Sequence, residues 1–523
     1  MSIYTRVKRL ALGAACLGGG LLGIGTALVP ATAAAGTLSC ANITGSGSSL
    51  QKVAQINVFT TSFASTSCAK APTITYTSTG SGAGLKEFGN GTEVLAPAES
   101  GNKTSLDGYV GTDDAPTPAQ TNEAGKAAGG GNQRELTIPV AEAPVAVLLH
   151  PPSACTITGT PNISNGVLDE LWQDKFASWQ AFLTAAGISA TGTCTEPVTL
   201  VVRQDNSGTS YVFKSYLNQF DSAVWQPYAN DFTTWPDLIT HAATKGGSGE
   251  VAEVKAKEGS VGYAATADAH AGAFGVYPNA SKGYFWAEVQ NNGTAALGAT
   301  YADPANGSNG NCPTAVTPAG TPTAPGDWFG VLASNPKIST AAGFVIGQYS
   351  LCGLTYDLAW KDYSLIGSYG SAPAPVEVGN AASDFLTYVT SQGQSALATA
   401  GQYYSALPMP VQKVAQETAT EVNNPSSGGG NGGGNNGGGG GGTGGGGTTS
   451  PPTTTTPGST TPTATPITTT KTPTAVKPLT KAQKLANALK ACKKKSKKQR
   501  ASCEKQAKKK YGATKSHKKS KKH

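Results

Sequence analysis

Val201-Val202-Arg203-Gln204-Asp205-Asn206-Ser207-Gly208-Thr209-Ser210 is where this chain changes its period. Upstream, Thr199, Val201 and Val202 are β-formers leading out of Pro197. Downstream, Phe213, Tyr216, Leu217 and Phe220 recur at helical spacing. The pattern predicts a strand ending near Arg203 and a helix beginning by Ser210. At such a switch, the free N–H groups of a helix start lie beside the hydroxyls of Ser207 and Thr209, a glycine and an arginine. A helix N-terminus carries partial positive charge and unpaired donors, and a guanidinium grips two oxygens at once. This is the equipment of an oxyanion site. Alone, the stretch reads equally as an N-capped helix with a surface Arg–Asp pair.

Three other element ends break that tie. After Gly45-Ser46-Gly47-Ser48-Ser49, the apolar residues Leu50, Val53, Ala54 and Val58 fall at helical spacing. Ile74 and Tyr76 alternate with threonines in a strand that runs into Gly80-Ser81-Gly82-Ala83-Gly84, with a helix start expected at Leu85. Tyr109-Val110-Gly111-Thr112 reads as a short strand ending at Asp113-Asp114-Ala115-Pro116. One Gly/Ser loop is weak evidence. Two of them, an Asp-Asp-Ala-Pro loop and an Arg-x-Asp-x-Ser-Gly-Thr loop, in this order, are much stronger.

In these loops, and in Gly166-Val167-Leu168-Asp169-Glu170-Leu171-Trp172, Gly259-Ser260-Val261-Gly262-Tyr263 and Ala406-Leu407-Pro408, the chain resembles the phosphate-binding proteins of bacterial phosphate ABC importers. The resemblance covers most of residues 41–420. It implies an α/β, two-lobed type II periplasmic-binding-protein fold with a central cleft. Lobe I would be residues 36–142 and 338–422 and lobe II residues 143–337, with the chain crossing near Glu142-Ala143-Pro144 and near Lys337-Ile338. It further implies a dehydrated site for inorganic phosphate. Ser49 and Leu50 would offer a hydroxyl and a helix-start N–H, and Ser81 would donate from the next loop. Arg203 would make the charged contact, steadied by Asp205, while Ser207, Gly208 and Thr209 donate from the second lobe. Asp114 would accept a proton from the ligand; phosphate carries one and sulfate does not, so an ionised Asp114 admits the first and repels the second. Two departures stand out. Ser49-Leu50 replaces a common threonine and aromatic residue, and Asp113 replaces the usual small residue before Asp114, adding negative charge beside an anion site. Residues 300–335 look like a loop-rich insertion.

The two ends of the chain have their own chemistry. Arg6, Lys8 and Arg9 precede an apolar run to Val29 and the small residues 31–35, which predicts a signal peptide over residues 1–35 and an exported mature chain. The formal net charge of +8 conceals a split: residues 471–523 hold 20 Lys and Arg against one acid, Glu504, so the remainder carries −11. Between them, residues 423–478 are Gly-rich and then Thr/Pro-rich, compositions that bury no core. Residues 479–523 are expected to form a Lys-rich tail, a helical hairpin if Cys492 and Cys503 pair. A straight helix would hold those two about 16 Å apart, beyond the roughly 4–7 Å between the Cα atoms of a bridge. Its expected target is an anionic cell-wall polymer or membrane surface, giving cell-surface retention; no nucleic acid is expected.

Setting aside Cys16 in the leader, Cys40, Cys68, Cys155, Cys194, Cys312, Cys352, Cys492 and Cys503 remain, without a Cys-x-x-Cys pattern. Disulfides between sequence neighbours are expected, with no metal and no cofactor. Five histidines occur, and none of His150, His241 and His270 lies in a motif pairing it with a nucleophile. The reading is a non-enzymatic receptor serving the permease of an ABC importer. The alternatives are a secreted phosphate-ester hydrolase and a wall-associated, non-transport protein on the same fold.

Overall fold

The computed structural model describes residues 41–64, 72–88, 107–128, 134–229, 233–236, 241–278, 283–291, 300–321, 324–325, 327–331, 347–366 and 375–425. The leader, the linker beyond residue 425, the basic tail, the crossing at Lys337-Ile338, and Cys40, Cys68, Cys492 and Cys503 lie outside them.

Nine strands make one sheet: β1 (Ile43–Gly47), β2 (Ile74–Ser78), β3 (Asp107–Thr112), β4 (Glu135–His150), β5 (Thr199–Arg203), β6 (His241–Thr244), β7 (Ser260–Ala265), β8 (Phe285–Trp286) and β9 (Cys352–Trp360). Their order is β2-β1-β3-β9-β4-β7-β5-β6, with β8 also on β4. The flanks β2-β1-β3 and β7-β5-β6 are parallel, and the strands that join them are antiparallel.

The 16-residue β4 carries both halves. Up to Pro144 it pairs with β9; from Val145 onward it pairs with β7, and β8 joins it at Leu148 and Leu149. Its run Val145-Ala146-Val147-Leu148-Leu149 is wholly buried, as expected of a strand covered on both faces. At the changeover Glu142 is buried with Oε1 unpartnered, and burial pushes its carboxyl well up.

Helices cover this sheet where capping and apolar spacing coincide. The Leu50–Val58 pattern becomes α1 (Lys52–Ala54), a π-helical turn (Gln55–Phe59) and α2 (Thr60–Ala64). The helix expected at Leu85 begins four residues earlier, as α3 (Ser81–Glu87). Gly80, at φ +100°, makes the reversal and frees Ser81 to open the helix; the glycines that suggested a longer loop sit inside the first turns. They allow close packing, because a Cβ on Gly82 would meet Asn206 at 2.3 Å and one on Gly84 would meet the Gly111 carbonyl oxygen at 2.8 Å.

Next come α4 (Pro118–Ala128), α5 (Asn165–Trp172) and α6 (Trp179–Ala186), the last two capped by the Ser164 and Ser178 hydroxyls. Then follow α7 (Gly208–Asn218), α8 (Ser222–Trp225), α9 (Gly247–Ala256), α10 (Thr266–Ala271), α11 (Pro375–Thr390), α12 (Gln392–Thr399) and α13 (Met409–Thr420). On the β5 side the core is aromatic: Phe213 stacks on Tyr263 with ring centroids 4.6 Å apart, and Trp172 lies edge-on to both.

Two disulfides lie among the described residues, each between sequence neighbours. Cys155–Cys194 ties the start of the short strand Cys155–Ile157 to the chain just past its partner strand Ala190–Gly192, and Cys312–Cys352 pins the loop-rich segment to the start of β9.

Buried Asp357, in β9, faces an amide rather than a cation: Gln55 Nε2 donates to its two oxygens at 3.2 and 2.9 Å. Burial pushes the carboxyl up to about 8, against the pull of the Gln55 and Gln51 amides. Folding thus retains a proton that the unfolded chain releases at about pH 4. The penalty is absent in acid, grows as pH rises through this window, and is complete above about 8. Asp357→Asn is expected to leave the melting temperature unchanged at about pH 4 and raise it at about pH 8. Equal shifts in thermal melts at both pH values would refute this account.

Candidate anion-binding site

The carboxyl ends of β1, β2, β3 and β5 meet at one buried place, where an open α/β sheet has its natural crevice. β1 delivers Ser48 and Ser49, β2 leads through Gly80 to Ser81, β3 ends at Asp113-Asp114, and β5 ends at Arg203. Opposite them stands α7, capped by Ser207, whose Oγ accepts from Ser210 N at 3.2 Å. Ser49, Leu50, Ser81, Arg203, Ser207 and Thr209 are all buried, and Asp205 is half-buried.

Arg203 holds the centre with a side chain fully out of solvent. Its Nε and Nη2 donate to the two carboxylate oxygens of Asp205 at 2.6 and 2.5 Å, a bidentate pair. Nη1 is thereby aimed across the crevice, where it donates to Ser49 Oγ at 3.3 Å. Gly246 N also reaches the Asp205 carboxylate, at 3.4 Å. Burial pushes the Asp205 carboxyl up, but the guanidinium outweighs it and leaves it below the usual carboxylate range.

The two adjacent aspartates part company. Asp113 receives Ser48 Oγ at 2.5 Å and Thr355 Oγ1 at 2.8 Å on Oδ1, and Ser81 Oγ at 3.1 Å on Oδ2. Burial raises its carboxyl to about 6, opposed by those three hydroxyls and by Arg203. Asp114 is held instead by Tyr211 of α7, and its Oδ1 is buried without a partner. Burial raises it to about 7; the Tyr211 bond lowers it and the neighbouring Asp113 raises it further. The two carboxylates leave the bend after β3 into different surroundings, so one residue of displacement decides which of them meets the hydroxyls.

Several participants carry no local signal in the sequence. Ser48, rather than Ser49, supplies the hydroxyl to Asp113, and its Oγ also accepts from Leu50 N at 3.0 Å, which engages that N–H locally. Thr355 lies in a strand buried throughout. Glu250, buried in α9, accepts Tyr263 N on Oε1 at 3.1 Å and leaves Oε2 unpartnered. Burial pushes its carboxyl well up, with Arg203 pulling it down. Tyr263 OH in turn meets Arg203 N at 3.3 Å and Ser210 Oγ at 2.6 Å.

A cleft lined by Lys52, Asn57, Ser248, Lys255 and Asp268 opens between the first helical segment, α9 and α10. Elsewhere, His150 Nδ1 bonds the Val254 carbonyl at 2.8 Å, and His270 stacks on Tyr403. Among the described residues, no group of three His, Cys, Asp or Glu is placed to hold a metal.

The family model of the PBP superfamily domain matches residues 31–318. Phosphate-binding protein PstS 3 of Mycobacterium leprae is 27% identical over 196 residues, which take in 36% of this chain and 45% of that protein. The chain thus matches less than half the length of that relative. Among solved structures, a high-affinity periplasmic phosphate-binding protein bound with phosphate superposes with a TM-score of 0.50 at 18% identity, over 71% of this chain and 92% of that one. A phosphate-binding protein from Stenotrophomonas maltophilia gives 0.48 at 19% identity, over 74% and 97%. At 18% identity, the likeness to the first of these concerns the fold.

Proposed function

Because the chain belongs to the PBP superfamily, we propose that it is an exported receptor for inorganic phosphate that delivers the anion to the permease of an ABC importer. The observation carrying this reading is the meeting of Arg203 with Ser49 across the crevice: a buried cation, fixed by Asp205, spans to a hydroxyl at the end of β1. Around that bond stand Ser81 and the start of α7 at Ser207, Gly208 and Thr209, donors suited to a desolvated tetrahedral oxyanion, with the Leu50 N–H held by Ser48 beside them.

Asp114 is the acceptor of the ligand's proton. Its Oδ1 is buried without a partner, and with the carboxyl raised to about 7 the ionised, accepting form prevails above neutrality, where phosphate still offers an O–H. The lobes are residues 36–142 with 338–422, and 143–337. Their hinge is the partner change in β4 at Pro144 and Val145, supported by the bond from Val145 N to Leu351 O at 2.9 Å. Ligand contacting both lobes favours the closed form, which the permease recognises. The Lys-rich tail holds the receptor at an anionic cell-wall polymer or membrane surface.

Calorimetric titration of the mature chain with phosphate and with sulfate tests the reading. Phosphate binding, no sulfate response, and loss of phosphate binding in Asp114→Ala are expected. No heat with either anion from demonstrably folded protein would discard phosphate reception. Equal binding of both anions would discard the role of Asp114.

A further inference from the structure

Asp113 is already an anion in the place where an anion is to bind. Three elements converge on its carboxylate: Ser48 from the end of β1, Ser81 from the start of α3 and Thr355 from β9. A hydroxyl has one proton to give, and each of these gives it to Asp113. The start of α7 closes over the same point, since a Cβ on Gly208 would lie 2.2 Å from Ser81 Oγ and 2.5 Å from Asp113 Oδ2. A ligand oxyanion seated between α7 and Ser81 therefore meets hydroxyls whose protons are committed, and a carboxylate of its own sign.

We propose that Asp113 is a built-in competitor for the anion site, holding the hydroxyls of Ser48, Ser81 and Thr355 until the arriving ligand takes them, and that the ligand binds with uptake of one proton from solvent onto Asp113. This rests on the reading of the crevice as a phosphate site and goes beyond it by coupling capture to pH. Two like charges brought into one desolvated site favour protonation of one of them, and the protonated carboxyl turns from competitor into donor. The charged and titratable groups around Asp113 are few. Among the described residues, Arg203 approaches from β5, Asp114 is its chain neighbour, and Tyr76 from β2, Tyr356 from β9 and Tyr404 sense its charge. Burial pushes all three phenols well above their ordinary range, so they stay neutral, and the aspartates are left to titrate. The position of Asp113, raised to about 6, places the coupling within the neutral range.

The test is phosphate affinity from about pH 5.5 to about pH 8 for the native chain, Asp113→Asn and Asp113→Ser, with proton uptake measured by calorimetry in two buffers of different ionisation enthalpy. Ligand speciation is common to all three proteins, and the proton count is compared at about pH 8, where Asp114, raised by Asp113 in the native chain alone, is largely ionised in every one. Above about pH 6 the native affinity is expected to fall up to about tenfold more steeply per pH unit than that of either variant, with about one additional proton taken up. At about pH 8 both variants bind more than about tenfold tighter than the native chain. Tight phosphate binding with parallel pH profiles and equal proton uptake overturns the competitor role and leaves the receptor standing. Absence of phosphate binding by the native chain at every pH overturns both.

Discussion

Arg203→Met is expected to abolish phosphate binding and to destabilise the fold by roughly 3–5 kcal/mol, the usual consequence of removing one partner from a buried ion pair. The guanidinium is fully enclosed and makes three directed bonds, two to Asp205 and one to Ser49. Methionine fills much of the volume but supplies no donor. Asp205 then keeps only the longer bonds from Gly246, and Glu250 loses the cation that draws its raised carboxyl down. Arg203→Lys restores charge without the planar fork, which cannot bridge both Asp205 oxygens and still reach across to Ser49. It is expected to recover part of the stability and little of the affinity. Denaturant unfolding and calorimetry on the two variants measure these separately. Phosphate affinity within about threefold of native in Arg203→Met, equivalent to under about 1 kcal/mol, would remove the arginine from the site.

Gly208→Ala is expected to reduce phosphate affinity on the order of a hundredfold, about 2.7 kcal/mol. The added methyl would stand 2.2 Å from Ser81 Oγ and 2.5 Å from Asp113 Oδ2, distances no carbon tolerates. These neighbours belong to the β2 and β3 ends, whereas Gly208 opens the helix after β5. Each half keeps its own packing when the two draw apart, so the overlap is relieved by opening the crevice rather than by unfolding. A larger radius of gyration in solution scattering at saturating phosphate, with a nearly native melting temperature, is the expected signature. Gly166→Ala is the matched control: nothing lies within 4 Å of its added Cβ, and α5 should gain about 0.5–1 kcal/mol. Native affinity in Gly208→Ala would mean that the crevice does not close on its ligand at this point.

What could be read from residue order differs sharply between elements. The switch after Arg203 was legible because three local signals agreed there: β-formers, a Ser N-cap and a helical apolar period. The early helix and the strands at Ile74 and Tyr109 followed from period alone. Where glycines carried two meanings, the reading slipped: those after Gly80 signalled a loop, yet they serve helix packing against Asn206 and Gly111. In the crevice, the loops read from the sequence do converge, but of the three hydroxyls that reach Asp113 only that of Ser81 is among the residues expected there; Ser48 and Thr355 are not. Ser48 and Ser49 are chemically identical neighbours, and only the direction of the turn after β1 distinguishes them. Thr355 and Glu250 come from distant segments with no motif around them, and only the sheet order brings them near Arg203 and Asp113.

The partner change within β4 also predicts an order of assembly. The sheet half built on β7, β5 and β6 draws its strands from residues 145–265, a continuous stretch of chain. The other half begins first, at β1, yet β3, paired with β1 on one side, lacks its second neighbour until β9 has arrived, and β9 spans residues 352–360. Contacts of such long sequence separation form late, because the intervening loop must be closed before they return anything. The chain's first strands are therefore obliged to wait with an open edge while a later segment matures beside them. The topology that lets one strand serve both halves of the sheet thus predicts that the half begun first is completed last.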